Sequence, residues 1–312
     1  MLNKQHILFI HIPKTAGTSF RVAAEEYFEK ENTFYDYSPQ SDETSNIVKE
    51  HIYSKYNPYA LYQAIEDHPK SFLSGHFLAN KYAPLYSTMN VVTFVRNPVA
   101  QVISHYNHYK NLHHYKYDLH TFIQEERFRN VQSKMLKGKH LSYYGFIGIT
   151  EEYELSIELF NAQFQTNLKP KHLNTKHKKS LNTEDIDKTT LSLIKKLNQD
   201  DIILYDKSVK QFQIRKDLYA NGHSYTYGFI QDITDTQIYG VAFQNNHKVI
   251  ELDIYSGEEY IDTVTTQYLK PGQIIQNIPR QGYVGFAYNN KNLEKDTISI
   301  YVKETKQFIN FT

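Results

Sequence analysis

Residues 6–19, HILFIHIPKTAGTS, decide the fold. Residues 6–12 are mostly apolar and β-prone, which predicts a strand that is buried on both faces. A helical pattern with one apolar side runs from Phe20 to about Lys30. Only a tight loop, PKTAGTS, separates the two. The stretch therefore predicts a strand, a loop and a helix in direct succession.

The loop, residues 13–19, has the composition of a phosphate-binding loop. Its position offers main-chain N–H groups and a helix N-terminus, and its small side chains let a phosphate approach. Lys14 adds a mobile cation, and Thr18 and Ser19 add hydroxyl donors. The order differs from that of a Walker loop, because Lys14 precedes Gly17 instead of following a second glycine. An ordinary turn capped by Thr18, with Lys14 in solvent, explains this segment alone equally well.

A second segment, VVTFVRNPVAQVISHY (residues 91–106), has a related pattern. Its first five residues predict a strand, and Pro98 stands where the first turn of a helix tolerates proline. Arg96 then lies at the end of a strand and Ser104 in the following helix, where together they can donate three hydrogen bonds to one phosphate. Taken singly, Arg96 is better explained as the partner of a carboxylate.

Together the two segments resemble the PAPS-dependent sulfotransferases, and among them the Golgi-type and bacterial group that modifies carbohydrates, including the uronyl 2-O-sulfotransferases. In that family a PKTxx[ST][ST] loop follows the first strand, and a strand ending in R[DN]P runs into a helix with a Ser eight residues after the Arg. FIGITEEYELSIELFN (146–161) and HLNTK (172–176) are also similar to family elements. The resemblance covers about residues 5–218 and implies a P-loop-like, three-layer α/β domain with a mainly parallel sheet.

The resemblance assigns roles to the residues of these motifs. Lys14 contacts the oxygen that bridges sulfur and the leaving phosphate, where its charge stabilises the departing PAP. Arg96 and Ser104 hold the 3′-phosphate, which ordinary adenine nucleotides lack. The residues assigned to the 5′-phosphate are Lys14, Thr15, Ala16, Gly17, Thr18 and Ser19, and those assigned to the adenine are Thr150, Asn174 and Lys176.

The same resemblance names the reactants. The implied donor is PAPS (3′-phosphoadenosine 5′-phosphosulfate), and the implied product is PAP. The implied acceptor is a carbohydrate hydroxyl, in the first place one of a bacterial poly- or oligosaccharide. The family requires no metal, and we expect none here.

The acceptor hydroxyl needs a base, and the resemblance points to His76. This residue lies in SGHF (74–77), where 2-O-sulfotransferase-like members carry a catalytic histidine in a G-H element. The ordinary pKa of histidine suits a base that works at neutral pH. His11, beside the loop, is an alternative, and so are Glu25 and Glu26, because other sulfotransferases use a glutamate on a helix.

The rest of the N-terminal sequence predicts further elements of an α/β domain, which we place at residues 1–220. A weaker strand is expected near Ser71–Leu73, and an irregular insertion with one short helix at residues 31–60. Further helices are expected at residues 118–136, 151–165, 185–199 and 207–219.

Beyond Asn221 and Gly222 the pattern changes to short β-prone runs with turn signals between them. This predicts an all-β, sandwich-like domain at residues 225–312. The runs are residues 238–243, 249–256, 259–266, 283–289 and 297–303. The region resembles a small β module found beside bacterial glycosyl- and sulfotransferases, although Val241 stands where that module has Trp. We expect no catalytic residue in it.

Composition excludes several functions. A net charge of +1 over 312 residues gives no general attraction to nucleic acid. Without cysteine there is no disulfide, thiol nucleophile or thiolate metal site. No apolar stretch approaches the roughly 20 residues of a membrane span, and the N-terminus lacks a secretory pattern, so we expect a cytoplasmic protein. A non-catalytic glycan- or nucleotide-binding protein and an ATP-dependent, kinase-like enzyme remain as alternatives.

Overall fold

A computed structural model describes residues 5–138, 140–173, 180–270, 278–289 and 294–310. The chain packs as two compact units. The first consists of Met1–Leu85, Val91–Lys139 and Phe146–Phe212, and the second of Tyr86–Asn90, His140–Gly145 and Gln213–Thr312. The domain limits at residues 1–220 and 225–312 stay predictions.

The first unit is built on a parallel sheet. Its strands are β1 Gln5–Ile10, β2 Thr33–Asp36, β3 Lys70–Gly75, β4 Val91–Val95 and β5 Phe146–Ile149. They lie in the order β2-β3-β1-β4-β5, and each neighbouring pair is parallel. The predicted α/β class with a mainly parallel sheet is therefore confirmed.

Helices follow the strands. They are α1 Gly17–Phe28, α2 Asn46–Val48 with a π-helical turn at Lys49–Ser54, α3 Pro58–Glu66, α4 Pro98–Leu112, α5 Leu119–Gln124, α6 Val131–Leu136, α7 Tyr153–Phe164, α8 Lys188–Leu197 and α9 Gln199–Ala220. The start of α4 shows why the sequence folds as predicted there. Pro98 occupies the first turn, and the Asn97 side chain accepts hydrogen bonds from the Val99 and Ala100 N–H groups.

Two expectations for this unit need correction. The stretch expected to be one helix at 118–136 contains two, because the backbone is extended at Glu125 and left-handed at Asn130. The expected irregular insertion at 31–60 contains the strand β2, which at four residues is too short to show a clear alternation.

An aromatic layer fixes α1 against the sheet. Phe9 of β1, Phe72 of β3 and Phe94 of β4 are fully buried. The Phe20 ring of α1 lies 4.7 Å from that of Phe9 and 5.0 Å from that of Phe94. Phe160 of α7 meets Phe20 at 5.1 Å, so α1 and α7 cover the same face. This packing sets where the loop before α1 must turn.

The strand order determines where a ligand can enter. Because all five strands are parallel, their carboxyl ends meet at one edge of the sheet. The chain leaves β1 toward the β3 and β2 side and leaves β4 toward the β5 side, so the order reverses between β1 and β4. In open α/β sheets, ligands bind in the crevice at such a reversal.

The second unit is a β-sandwich. Its strands are β6 Tyr227–Ile233, β7 Gln237–Phe243, β8 Glu251–Ser256, β9 Glu259–Thr265, β10 Tyr268–Leu269, β11 Tyr283–Asn289 and β12 Ile298–Val302. They form two antiparallel sheets, β10-β11-β7-β6 and β12-β8-β9. Ile238 and Phe286 of the first sheet pack with Leu252 and Ile300 of the second. The predicted sandwich-like region is confirmed, and β6 and β10 are additions to the predicted strands.

In the part of the chain that the structure describes, no helix combines the length and the apolar character needed to cross a membrane.

Candidate active site

The loop after β1 has a sharply turned backbone. Lys14 and Ala16 both adopt left-handed conformations, with φ values of 67° and 62°. Between them the buried Thr15 hydroxyl donates a hydrogen bond to the Ile12 carbonyl oxygen at 2.9 Å. This bond stabilises the turn of the loop and uses the proton of the Thr15 hydroxyl. The group of Thr15 that can still donate a hydrogen bond to a ligand is its main-chain N–H.

Helix α1 begins without a side-chain cap. Ala16 occupies the cap position, and its side chain makes no capping hydrogen bond. The first main-chain bond of the helix runs from Phe20 N to Ala16 O at 3.1 Å, so the N–H groups of Gly17, Thr18 and Ser19 precede the helical ladder. A turn capped by Thr18 is therefore not what forms. The uncapped N-terminus suits an anion.

The hydroxyl groups of this first turn differ in their surroundings. Thr18 is exposed. The Ser19 hydroxyl oxygen accepts a hydrogen bond from the Leu173 N–H at 3.3 Å. Ser19 thereby ties the start of α1 to the segment that follows α7.

Glycine at position 17 leaves room for the His11 ring. A Cβ built there would lie 2.1 Å from Cδ2 and 2.4 Å from Nε2 of the His11 ring. The His11 ring thus lies directly against the first residue of α1.

Lys14 and Arg96 meet at the point where the strand order reverses. Arg96 Nη1 donates to the Lys14 carbonyl oxygen at 3.2 Å. Burial lowers the pKa of Lys14, and the nearby Arg96 lowers it further. Burial also lowers the pKa of Arg96, while Glu151 opposes that change. Two partly buried cations, Lys14 and Arg96, therefore lie close together beyond the carboxyl ends of β1 and β4.

Arg96 does not pair with a carboxylate in the described part of the chain. Glu151 is the acidic group whose charge acts on the Arg96 guanidinium. Oε1 of Glu151 accepts from the Asn97 N–H at 2.9 Å, and its Oε2 accepts from the Tyr205 hydroxyl at 3.1 Å. The explanation of Arg96 as half of an ion pair is therefore not supported, and its guanidinium has bonding capacity left for an anion.

Two side chains, Gln132 and Thr150, hold the ends of β4 and β5, and of these the sequence analysis singled out only Thr150. Gln132 Oε1 accepts from the Arg96 N–H and its Nε2 donates to the Arg96 carbonyl, both at 2.9 Å. The Thr150 hydroxyl donates to the Val95 carbonyl at 2.9 Å, so its proton is used to join β5 to β4. Asn174 and Lys176, the other expected adenine contacts, lie outside the described residues.

Helix α4 lies against the loop. Gln101 Nε2 donates to the Pro13 carbonyl oxygen at 3.0 Å. Ser104 is half-buried and lies three residues on, so it shares this side of the helix. Gln101 Oε1 and Nδ1 of His105 are buried and have no hydrogen-bond partner within the described residues. Burial, followed by the charges around it, lowers the pKa of His105 to about 3, so this ring stays neutral.

His76 follows β3 and is oriented by main-chain atoms. Its N–H donates to the Asp36 carbonyl at 3.1 Å. Nδ1 lies 2.6 Å from the His11 carbonyl oxygen, which can only accept, so Nδ1 carries the proton and Nε2 keeps its lone pair. As a residue, His76 is exposed. Protein packed around the imidazole removes part of its hydration, and this burial lowers the pKa of His76 below 6.5. The hydrogen bond to the His11 carbonyl opposes the change.

The other candidate bases are engaged elsewhere. His11 is buried, its Nδ1 is 2.8 Å from the Tyr37 hydroxyl, and burial above all holds its pKa well below the usual value. Glu25 accepts from the Tyr35 hydroxyl at 2.7 Å. Glu26 pairs with Lys171 at 2.7 Å. His76, in contrast, is exposed, and its bond to the His11 carbonyl leaves a lone pair on Nε2.

Among the described residues, no three His, Asp or Glu side chains come together as a set that can hold a metal ion. At this edge of the sheet the structure brings together the N–H groups at the start of α1, the cations Lys14 and Arg96, and a histidine whose pKa is lowered. This combination suits an α/β group-transfer enzyme.

A family model described as "Sulfotransferase family" matches residues 1–158, half of the chain. The match includes the loop after β1, His76 and the β4–α4 segment. The chain belongs to the sulfotransferase family. No curated protein matches it.

Proposed function

We propose that this protein is a PAPS-dependent O-sulfotransferase that moves a sulfuryl group to a hydroxyl of a carbohydrate and releases PAP. The observation that carries the proposal is the meeting of Lys14 and Arg96 at the reversal of strand order, with no carboxylate paired to Arg96 in the described residues. Family membership supports sulfuryl transfer as the reaction.

The residues present suit a donor with phosphate groups at two places. Residues 12–19 contain no acidic side chain, and they offer N–H groups, hydroxyl groups and the Lys14 cation. The family resemblance assigns Arg96 and Ser104 to the 3′-phosphate, and the bonds from Arg96 and Gln101 to loop carbonyls show that their segment lies beside the loop. The buried Gln101 Oε1 can accept a hydrogen bond from a ribose hydroxyl or from a water molecule.

The transfer step divides between two side chains. The donor supplies a sulfuryl group whose bond to a phosphate oxygen breaks as the acceptor oxygen bonds to sulfur. Lys14 stabilises the electron pair that stays on that phosphate oxygen. Nε2 of His76 takes the proton of the acceptor hydroxyl, and the Nδ1–H bond to the His11 carbonyl stabilises the imidazolium that forms. The remaining residues position the reactants.

The carbohydrate acceptor rests on the resemblance of the two motifs to the carbohydrate-modifying group, together with the exposure of the His76 ring. An ATP-dependent kinase-like enzyme is disfavoured by family membership and by the position of Lys14 ahead of Gly17. A non-catalytic binding protein is disfavoured by the oriented, neutral His76.

The test is a sulfate-transfer assay with labelled PAPS, without added metal, against a panel of bacterial capsular and exopolysaccharide oligosaccharides. Label in an oligosaccharide and an equal amount of PAP support the proposal. PAP binding without transfer to any panel member supports the non-catalytic alternative, and turnover of ATP with magnesium supports the kinase-like one.

A further inference from the structure

Tyr37, directly after β2, joins two histidines into one cluster. Its hydroxyl lies 2.8 Å from Nδ1 of His11. The Tyr37 ring meets the His76 ring edge-on at 4.8 Å and the His11 ring at 5.8 Å. The two histidine rings are 4.6 Å apart. The ends of β1, β2 and β3 thus each contribute one ring.

Hydrogen-bond roles in the cluster follow from its chemistry. The Tyr37 hydroxyl can donate to Nδ1 of a neutral His11, which leaves the His11 proton on Nε2. Arg21 supports this direction, since its guanidinium carbon lies 5.4 Å from the centre of the Tyr37 ring and its charge favours an electron-rich phenol oxygen. Burial is the main reason why the pKa of Tyr37 is raised, so the phenol keeps its proton.

His11 connects this cluster to the phosphate-binding loop. Its carbonyl oxygen holds Nδ1–H of His76, and its ring lies against Gly17 at the start of α1. The His11 ring also lies 4.6 Å from the His76 ring, so the orientation of the His11 ring determines its contact with the proposed base.

We propose that Tyr37 is a positioning residue for the transfer step. It fixes the His11 ring, and through His11 it holds Nε2 of His76 at a set place relative to the start of α1. This inference rests on the proposed role of His76 as the base.

The variant Tyr37→Phe removes only the hydroxyl, and Tyr35→Phe is its matched control. Tyr35 lies two residues earlier on the same side of β2, and its ring also lies near Arg21, at 5.3 Å. Its hydroxyl, however, bonds Glu25 instead of His11. We expect Tyr37→Phe to lower kcat of sulfate transfer by about 10-fold, the effect of one net hydrogen bond, with PAP binding unchanged. Tyr35→Phe should stay near wild type.

A spectroscopic measurement separates positioning from a general structural role. Imidazole ¹⁵N shifts of the full chain should show His11 with its proton on Nε2 and His76 with its proton on Nδ1. In Tyr37→Phe, His11 should become a mixture of tautomers, whereas Tyr35→Phe should keep the wild-type pattern. This readout needs no acceptor.

A double-mutant cycle completes the test. His11→Asn keeps an acceptor near the position of Nδ1 but removes the ring, so adding Tyr37→Phe to it should lower kcat by much less than 10-fold. Additive losses, equal losses of PAP binding and kcat, or an unchanged His11 tautomer in Tyr37→Phe would each overturn the proposal. If His76→Ala kept full activity while the Tyr37→Phe tautomer change occurred, the base assignment would fail and the Tyr37–His11 bond would stand.

Discussion

Arg96 Nη1 donates a hydrogen bond to the main-chain carbonyl oxygen of Lys14 at 3.2 Å. The bond crosses from the end of β4 to the loop after β1. It helps to hold Lys14 in a left-handed conformation that costs roughly 1–2 kcal/mol in a residue with a Cβ. Arg96 therefore organises the loop as well as contributing to the proposed donor site, and its replacement must be judged on both effects.

Arg96→Lys keeps the charge but loses the planar fork. We expect the affinity for PAP to fall by about 10-fold or more, because a charged hydrogen bond is worth roughly 1.5–3 kcal/mol. The affinity for AMP should fall less, since AMP has no 3′-phosphate. Titration calorimetry with both nucleotides measures this, and Arg127→Lys, an exposed arginine on the same unit, is the control. Equal losses for PAP and AMP would show that Arg96 only organises the loop.

PAP and AMP should also stabilise the wild-type protein to different extents against thermal unfolding. With PAP at about 100-fold its Kd, the free energy of unfolding should rise by about 2.7 kcal/mol. AMP at the same concentration should raise it less, because Arg96 and Ser104 then lack their ligand. Thermal melts in the presence of a metal chelator check both statements. Identical shifts from the two nucleotides contradict the assignment of the donor.

Gly17→Ala should destabilise the protein by roughly 1–3 kcal/mol, since the new methyl group overlaps the His11 ring. The same substitution made in a His11→Ala background should have a much smaller effect, because the overlapping ring is gone. Urea unfolding of the four proteins forms the cycle. A loss of stability that is the same in both backgrounds would place the strain elsewhere.

Removal of the chain after Leu218 should leave a protein that folds poorly. Met89 and Tyr143 precede Leu218 but belong to the second unit, where they pack against Tyr227, Phe229 and neighbouring residues, and all of those partners would be lost. We expect aggregation, or a melt with reduced cooperativity, relative to the full chain. A soluble truncated protein that binds PAP with full affinity would contradict this and support an independent domain at residues 1–220.

Much of the local structure at the proposed donor site could be predicted because its signals are local. The buried strand, the small residues after it and Lys14 are contiguous, and Pro98 marks the helix that carries Ser104. The structure brings the two segments together through contacts that neither shows alone, such as the Gln101 bond to the Pro13 carbonyl.

What could not be predicted depends on long-range pairing. The strand β2 is four residues long, and it forms because it pairs with β3. Without that strand, nothing in the sequence indicated that Tyr37 would lie beside His11 and His76. The bond by which the Thr150 hydroxyl donates to the Val95 carbonyl on the neighbouring strand could not be predicted either, and the assignment of Thr150 to the adenine stays a prediction. The approach of His11 to Gly17 likewise becomes visible only once the loop has its left-handed residues.

The roles of Lys14 and His76 can be separated by substitution. Lys14→Ala removes a charge that matters most as the phosphate departs, so it should lower kcat strongly and weaken donor binding moderately. His76→Ala removes the proton acceptor, so PAP binding should stay near wild type while transfer falls by ~10² to 10⁴. His120→Ala, an exposed histidine on α5, is the matched control.

The pH profile gives the sharper measurement. His76 acts only when unprotonated, and the protein lowers its pKa below 6.5. Wild-type transfer should therefore be constant at neutral pH and decline only below pH 6.5, as His76 gains a proton. The decline should be absent from the residual activity of His76→Ala. A His76→Ala protein with nearly full activity and the wild-type profile would move the base to His11, Glu25 or Glu26, and would leave the donor site as proposed.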